Sequence, residues 1–356
     1  MHSLDDLGWD TFYERQLIDE ERARWQAARV VWEARGHYRI STGDAEWDGL
    51  LAGRIRHAAA SRADLPAIGD WVLAALGADN RATIQRVLAR RSWFSRGAAG
   101  RTTEEQIVAA NVDTVLLVTS LNRDFNLRRI ERYLTLSWES GARPIVVLNK
   151  ADLCADPEES RAKAASASDG VPVLVTSALR GDGMSALKEV IRTAGTTALL
   201  GSSGVGKSTL INALVGEARQ HVKSLRAGDE RERHTTTSRQ LFCVPGGGVV
   251  IDTPGMRELQ LWDAEAGLEH AFSEVEHLAE TCRFRDCSHG VEPGCAVTAA
   301  VDRGELTAER LDSYRRLQRE DRFLRSRRDE RARSERTRQG KRAAKALRLQ
   351  EKLRKR

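Results

Sequence analysis

Residues 201–209 read Gly201-Ser202-Ser203-Gly204-Val205-Gly206-Lys207-Ser208-Thr209, which contains the G-x-x-x-x-G-K-[S/T] pattern of a phosphate-binding loop, or P-loop. An apolar run at residues 197–200 precedes the motif, and the motif opens a helical stretch at residues 208–215. Strand, glycine-rich loop and helix form the context that the motif requires. We therefore predict that the loop amides and Lys207 bind phosphates and that the Ser208 hydroxyl binds Mg²⁺. A chance glycine-rich turn would not explain both flanking elements.

A second motif reads Asn149-Lys150-Ala151-Asp152 and ends another apolar run. A carboxylate at Asp152 can accept hydrogen bonds from N1–H and the 2-amino group of guanine, and adenine offers neither donor. A site that depends on such bonds rejects analogues lacking them by roughly 10⁴–10⁵-fold. The four residues alone fit a surface turn equally well, but their place at a strand end before a P-loop favours guanine recognition. Ser177 and Ala178 end the next apolar run and resemble the loop that supports the guanine ring.

The order of these motifs along the chain is unusual. In Ras-like GTPases the P-loop comes first and N-K-x-D comes last, whereas here residues 149–152 precede residues 201–209. Apolar runs alternate with helical stretches over residues 108–252, which is the pattern of an α/β domain. The sequence therefore predicts a P-loop GTPase domain with circularly permuted strands.

A third phosphate motif, Asp252-Thr253-Pro254-Gly255, closes the next apolar run and resembles D-x-x-G. We expect the Asp252 carboxylate to lie just outside the direct Mg²⁺ ligands and the Gly255 N–H to contact the γ-phosphate. Between the P-loop and this motif lies His234-Thr235-Thr236-Thr237. Thr236 is the expected switch residue, with a hydroxyl that completes the Mg²⁺ ligands. Taken alone, the threonine triplet would fit an ordinary β-prone segment.

Met256 stands where Ras-like GTPases place a water-orienting glutamine. A thioether can neither orient nor deprotonate water, so we predict slow intrinsic hydrolysis and a further group supplied by a loop or a partner. His234 is a candidate for that group, because a neutral imidazole accepts a proton near pH 7. A surface histidine or one that contacts RNA is an equally good interpretation.

Three of the five cysteines cluster with a histidine as Cys282-x₄-Cys287-x-His289-x₅-Cys295. Three thiolates and an imidazole suit a tetrahedral structural Zn²⁺. The segment is polar and rich in turn residues, so a metal would have to organise it, and structural zinc contributes about 10–16 kcal/mol of apparent binding energy. The alternative is a set of reduced thiols without metal. Cys154 and Cys243 adjoin apolar runs and are interpreted as small packed thiols.

The net charge of +6 conceals an uneven distribution. Residues 311–356 hold 19 Lys/Arg and 7 Asp/Glu, so the rest of the chain holds 38 basic and 44 acidic residues. A basic tail on an acidic body indicates a polyanionic partner, although a solvated or disordered tail is the simpler interpretation. No basic, apolar leader begins the sequence and no stretch reaches the length of a membrane span, so we expect a cytoplasmic protein without a membrane partner.

The pattern of runs predicts several domains after an N-terminal extension at residues 1–25. Residues 26–95 contain about five short alternating runs, which favour a small β-barrel such as an OB-fold that binds RNA. The third of these runs is residues 50–56. The permuted GTPase domain is placed at residues 105–262, a mainly helical zinc-binding domain that begins with a helix over residues 263–280 at residues 263–324, and a basic tail at residues 325–356. Most of the tryptophans, six of which precede residue 94, are expected to pack in the core.

Over residues 26–320 the chain resembles the circularly permuted GTPase family that assists maturation of the bacterial small (30S) ribosomal subunit. Besides the P-loop, guanine, switch and cysteine motifs, the resemblance rests on Pro66-Ala67-Ile68-Gly69-Asp70 and Asn111-Val112-Asp113. Glu232 and Gln260 depart from the family, which often has glycine at both places. Both lie near the switch segments and put the switch geometry in doubt, not the nucleotide site.

The resemblance implies an OB-fold, a permuted GTPase domain and a zinc-binding domain, with GTP or GDP, Mg²⁺ and one Zn²⁺ bound. It implies GTP hydrolysis that is slow alone and stimulated by the 30S subunit, contacts with 16S rRNA and other assembly factors, and a monomer. Two alternatives stay open at this stage. One is a permuted GTPase that acts on another RNA or as a signalling switch. The other is a zinc-stabilised RNA-binding protein that binds nucleotide without turnover, which the intact Lys207, Ser208 and Asp252 disfavour.

Overall fold

The computed structural model describes residues 2–34, 36–97, 105–122, 125–216, 239–252 and 265–326. The chain divides into two compact units. The first unit comprises residues 1–260 and 269–273, and the second comprises residues 261–268 and 274–356. The finer domain boundaries given above stay predictions. Within the described ranges, no helix is long and apolar enough to cross a membrane.

Five strands near the start of the first unit form a closed barrel. They are β1 (Gln26–Ala34), β2 (His37–Ser41), β3 (Glu46–Leu51), β4 (Trp71–Leu76) and β5 (Arg81–Val87). Their order is β1-β2-β3-β5-β4, and the barrel closes because β4 pairs again with β1. Alternate residues point inward, so Val30, Ile40, Val72 and Ile84 form its apolar core. The predicted five-stranded, OB-like barrel is confirmed.

The N-terminal segment packs against this barrel. It contains two short helices, α1 (Thr11–Glu14) and α2 (Asp19–Arg24). Trp9 and Tyr13 contact the fully buried Trp71, with ring centroids 4.8 and 5.6 Å from it. Trp71 therefore packs in the core as expected, whereas Trp93 is 46% exposed.

The third predicted strand, residues 50–56, is wrong in part. The strand β3 ends at Leu51, and the rest of the run forms helix α3 (Gly53–Ala58). Leu51 and Ile55 both pack against the barrel core, and a spacing of four residues places two side chains on one face in a helix and in a strand alike. So short a run does not distinguish the two structures by periodicity alone.

A two-stranded ribbon, β6 (Trp93–Gly97) and β7 (Glu105–Ala110), leads to the six strands of the α/β part. These strands are β8 (Thr114–Ser120), β9 (Arg143–Asn149), β10 (Val173–Val175), β11 (Thr196–Leu200), β12 (Arg239–Cys243) and β13 (Val249–Asp252). They run in the order β10-β9-β8-β11-β13-β12, and all are parallel except β12. The sheet continues into the barrel, because β12 pairs antiparallel with β1.

Four helices cover this sheet: α4 (Leu127–Glu139), α5 (Pro157–Ser166), α6 (Met184–Ala194) and α7 (Lys207–Val215). Leu187 of α6 and Leu210 of α7 pack in one buried cluster with Leu116, Leu199 and Val250 from three central strands. The strand before the P-loop, β11, lies between β8 and β13 although it is the fourth strand of this part along the chain. This placement is the circular permutation that the motif order predicted.

The motif Asn111-Val112-Asp113 joins the ribbon to the sheet. Asn111 adopts a positive φ of 55°, and its Nδ2 donates to the Gly69 carbonyl oxygen at 3.2 Å. The Asp113 carboxylate accepts from the Thr196 N–H at 2.8 Å. Gly69 lies so close that a Cβ there would stand 2.3 Å from the Ala110 oxygen. The two motifs at residues 66–70 and 111–113 therefore pack directly against each other.

The second unit is mainly helical. The helices of this C-terminal part of the chain are α8 (Glu265–Ala271), α9 (Ser273–Ala279), α10 (Ala296–Asp302) and α11, over residues 308–326. The single helix expected at residues 263–280 is interrupted at Phe272. Leu311, Tyr314 and Leu317 are buried on α11, so the segment that leads into the basic tail is a packed helix. The Tyr314 hydroxyl donates to Glu276 at 2.8 Å and fixes α11 against α9.

Candidate functional site

The P-loop begins where β11 ends at the carboxyl edge of the sheet. Every residue of β11 is buried, which holds the start of the loop in place. Gly201 passes so close to β8 that a Cβ would lie 2.3 Å from the Val118 oxygen. Gly206 has a φ of +98°, and a Cβ there would lie 2.4 Å from Asn149 Nδ2. The glycines of this motif are therefore required by close approach and by backbone conformation.

Helix α7 starts at Lys207, directly after the loop, so its free N–H groups and the positive end of its dipole face the loop. Lys207 Nζ donates to the carbonyl oxygens of Gly201 and Ser202 at 2.5 and 2.7 Å. Ser208 follows in the first turn of the helix. Asp252 ends β13, the parallel neighbour of β11, so its carboxylate is placed at the same sheet edge. This geometry suits phosphate and Mg²⁺ binding.

Asn149 ties the guanine motif to the P-loop. It ends β9 and is buried, and its Nδ2 donates to the Val205 carbonyl oxygen at 3.0 Å. Its Oδ1 accepts from the Ala178 N–H at 3.2 Å and from the Thr176 hydroxyl at 3.3 Å. One amide therefore holds three loops together at the carboxyl ends of three parallel strands.

Lys150 adds a second link between the two motifs. Its backbone has a φ of 63°, and its Nζ donates to the Gly204 carbonyl oxygen at 2.6 Å. The stem of this side chain therefore extends over the P-loop from the guanine side. Sequence reasoning predicted the residue but gave no sign of this contact.

Asp152 is held by the neighbouring loop. The Ser177 hydroxyl donates to Asp152 Oδ1 at 2.5 Å, and Ser177 is itself fully buried. This hydrogen bond lowers the pKa of Asp152 below its ordinary value, so the side chain is a charged acceptor at neutral pH. The second carboxylate oxygen can accept from a base, as guanine recognition requires.

The structure also shows contacts that no motif indicated. The Tyr133 hydroxyl of α4 lies 3.5 Å from the Ser202 hydroxyl of the P-loop. Tyr133 is 9% exposed, and its only sequence signal is its place on the apolar side of a helical stretch. The exposed Leu153 and Leu179 adjoin the two loops that carry Asp152 and Ser177. The predicted residues His234, Thr236 and Gly255, and Met256 with them, lie outside the described residues.

The cysteine cluster of the second unit assembles as the spacing predicted. The four ligand atoms of Cys282, Cys287, His289 and Cys295 all lie within 4.8 Å of one another. Cys282 Sγ is 3.9 Å from Cys295 Sγ, and both sulfurs are 3.6 Å from His289 Nδ1. A tetrahedron with Zn–S near 2.3 Å and Zn–N near 2.05 Å has edges of about 3.8 and 3.6 Å. The donor set suits a zinc ion, and the distances among Cys282, His289 and Cys295 match those edges.

Cys295 is prepared to act as a thiolate. Burial opposes its ionisation, but hydrogen bonds from the Thr298 hydroxyl and N–H and from His289 outweigh it and lower the pKa of Cys295 to about 6. The Thr298 N–H lies 3.4 Å from Cys295 Sγ in the first turn of α10, where the helix dipole also favours negative charge. His289 is buried with a φ of 56°, a conformation that aims its ring into the cluster.

Comparisons with known proteins agree with this geometry. A family model described as RsgA GTPase matches residues 87–262. The chain is 47% identical over 321 residues to the small ribosomal subunit biogenesis GTPase RsgA 2 of Lactiplantibacillus plantarum, with 90% of each chain covered. It is 44% identical over 347 residues to the small ribosomal subunit biogenesis GTPase RsgA of Streptomyces avermitilis, with 96% of this chain and 92% of that protein covered.

Two solved structures share the fold. The crystal structure of YjeQ from Thermotoga maritima superposes with a TM-score of 0.63 at 27% identity, covering 83% of this chain and 98% of that chain. The structure of YloQ, described as a circularly permuted GTPase, superposes with a TM-score of 0.60 at 24% identity, covering 86% and 98% of the two chains. These two solved structures therefore give independent support for the permuted strand order.

Proposed function

Because the chain belongs to the RsgA GTPase family, we propose that it is a GTP hydrolase that binds the small ribosomal subunit and assists its late maturation. The observation that carries the GTPase part is the Asn149 side chain, which joins the P-loop, the guanine motif and the Ser177-Ala178 loop at one sheet edge. The proposed partner, the small ribosomal subunit, follows from the names of relatives that match over at least nine-tenths of the chain.

The roles of the site residues follow from their positions. Asp152 accepts from guanine, Asn149 and Lys150 hold the two loops together, and the loop amides bind the β- and γ-phosphates. Lys207 exchanges its bonds to two loop carbonyls for bonds to phosphate oxygens. When bound, Mg²⁺ would neutralise the charge that develops on those oxygens, with the Ser208 hydroxyl as a direct ligand and the Asp252 carboxylate just outside the direct ligands.

Thr236, His234 and Gly255 keep their predicted roles as proposals. Thr236 completes the metal ligands, the Gly255 N–H contacts the γ-phosphate and His234 assists water attack. Met256 offers no water-orienting group, so hydrolysis depends on the bound partner.

We also propose a structural zinc at Cys282, Cys287, His289 and Cys295, supported by the fit of their distances to a zinc tetrahedron. The barrel and the basic tail are proposed to contact 16S rRNA. Other assembly factors and a monomeric state belong to the same proposal.

The stimulation by ribosomal subunits is directly testable. We expect purified protein to turn over GTP slowly, and addition of 30S subunits to raise kcat by at least about a hundredfold, because a missing transition-state group is worth roughly 10³–10⁵ in kcat when a partner supplies it. Lys207→Ala should abolish the stimulated reaction. Co-sedimentation with 30S, 50S and 70S particles in the presence of a GTP analogue measures the partner. Equal binding to all three particles, or to an unrelated RNA, would favour the alternative of a GTPase with another RNA partner.

A second test concerns the basic tail. Residues 327–356 hold 14 Lys/Arg and 4 Asp/Glu, and deleting them leaves the Arg325–Asp321 ion pair of α11 in place. Each phosphate contact adds roughly −0.7 to −0.9 to the slope of log affinity against log salt concentration. We expect the deletion to weaken 30S binding and flatten that slope, with GTP affinity unchanged. Measuring 30S affinity at several salt concentrations decides the matter, and identical slopes would show that the tail is only solvated.

A further inference from the structure

Strand β1 belongs to the barrel and also contacts the GTPase sheet through two charged side chains, Arg29 and Glu33. Arg29 contacts β11, the strand that leads into the P-loop, and Glu33 contacts β12. The Arg29 contact is buried and the Glu33 contact is part-buried, and both lie outside the motifs of the nucleotide site.

Arg29 is a fully buried cation that bonds to four different segments. Its guanidinium donates to the Leu7, Gly69 and Asn111 carbonyl oxygens and to the Thr196 hydroxyl, the last at 2.8 Å. Burial lowers the pKa of Arg29, and an indole ring, that of Trp71, lies 5.3 Å from its guanidinium carbon. Because Thr196 starts the buried strand β11, the barrel is fixed to the strand that ends at the P-loop.

Glu33 forms an ion pair with Arg239, the first residue of β12, at 2.5 Å. The Arg239 and Glu33 side chains are 6% and 14% exposed, and Arg239 also donates to the Ile107 carbonyl oxygen at 3.4 Å. Among the residues that the structure describes, the β1–β12 ladder contains two residue pairs, Glu33 with Arg239 and Trp32 with Gln240. The ion pair joins the two side chains of one of these residue pairs, so it helps to fix the register of the two strands.

The register of β1 and β12 is linked to the nucleotide site by one further strand pairing. Gln240 is paired with Trp32 on one side and with Asp252 of β13 on the other. Neighbouring residues in antiparallel pairs have Cα atoms roughly 4.5–5.5 Å apart, so about 10 Å separates the barrel strand from the backbone of Asp252. A shift of β1 against β12 is therefore passed to the strand that positions the Asp252 carboxylate.

We propose that β1 couples the barrel to the nucleotide site, and that Glu33, through Arg239 and β12, is a positioning residue for stimulated GTP hydrolysis. This inference rests on the proposed function, in which the barrel docks on the ribosomal subunit. Docking changes the placement of β1, and the ion pair transmits that change to Asp252. The same contacts join β1 to β13 in both directions, so exchange of GDP for GTP is expected to alter β1 as well.

The first experiment measures the GTPase reaction of the full-length chain with purified 30S subunits at saturating GTP. Glu33→Gln is expected to lower the stimulated kcat roughly tenfold while GTP and GDP affinities stay within about threefold, because a small misplacement caused by a change far from the chemistry can cost up to about a hundredfold in rate. The double variant Glu33→Gln/Arg239→Gln leaves no uncompensated buried charge and should show the same loss in a folded protein. Glu21→Gln is the matched control, since it breaks an ion pair of the same length, Arg86–Glu21, that lies outside the GTPase strands. It should retain wild-type stimulation.

The second experiment needs no ribosome. Amide hydrogen exchange of Trp32 and Glu33 should differ between the GDP-bound and GTP-analogue-bound wild type, and this difference should disappear in Glu33→Gln. A double variant that is stimulated as strongly as the wild type, or β1 exchange that is the same with both nucleotides, would overturn the coupling. If the wild type itself is not stimulated by 30S subunits, the proposed function fails, and the exchange measurement still decides the coupling.

Discussion

Replacing Asp152 by asparagine is expected to weaken GTP binding by roughly 10²–10⁴-fold, because two hydrogen bonds from guanine to a charged acceptor are lost and each is worth roughly a factor of 10–100. The Ser177 hydroxyl can still donate to the Oδ1 atom of the new amide, so the loop is expected to keep its conformation. The variant should bind XTP better than the wild type does. Xanthine has a carbonyl at C2, to which the amide nitrogen can donate while the amide oxygen accepts from N1–H.

Equilibrium affinities for GTP, XTP and ATP in the wild type and the variant measure this change. Asp156→Asn is a suitable control, because Asp156 caps α5 through a hydrogen bond from the Glu159 N–H and asparagine caps equally well. Its nucleotide affinities should match the wild type. A wild type that binds GTP and ATP within a few-fold of each other, or an Asp152→Asn protein that keeps its preference for GTP, would contradict the assignment of residues 149–152.

Replacing Cys287 by alanine is expected to abolish binding of the proposed zinc and to unfold the segment between Cys282 and Cys295. The segment is largely exposed, with Phe284 42% and Val291 100% accessible, so little apolar burial remains to hold it. A structural zinc contributes about 10–16 kcal/mol, which is comparable to the whole stability of an ordinary domain, about 5–15 kcal/mol. GTP binding should survive, because all the described residues of the nucleotide site belong to the first unit.

Metal analysis of the purified chain should find a single zinc per wild-type molecule and a large loss in Cys287→Ala. Limited proteolysis should then cut within residues 282–295 of the variant. Cys154→Ala is the control, since Cys154 is half-buried in the first unit and outside the cluster. A wild type with well below one zinc per chain would show that the cluster consists of free thiols.

The sequence was informative where chemistry requires particular residues close together in the chain. A phosphate loop requires glycines at Gly201 and Gly206 for steric reasons, and both positions are crowded in the structure. The spacing of Cys282 to Cys295 likewise predicted four converging ligands, because thiolates and imidazole serve a metal only when they meet. Motifs of this kind identify a site without any knowledge of the fold around it.

Contacts between distant parts of the chain were not predictable in this way. Asn149 and Val205 are 56 residues apart, and their hydrogen bond depends on the placing of β9 and β11 on either side of β8. The pairing of β1 with β12 is encoded in two strands that are each unremarkable in composition. Local periodicity also failed in residues 50–56 and at Phe272, where packing decides between strand and helix or interrupts a helix.

The pairing of β1 with β12 has a consequence for synthesis of the protein. Glu33 and Arg239 are 206 residues apart, so the barrel strand leaves the ribosome long before its partner exists. At a synthesis rate of about 5–20 residues per second, the edge of β1 lacks its partner strand β12 for roughly 10–40 s. An open strand edge can pair with a neighbouring nascent chain during that time. The charge of Glu33, which lies on this edge, would then discourage such mispairing until β12 is synthesised.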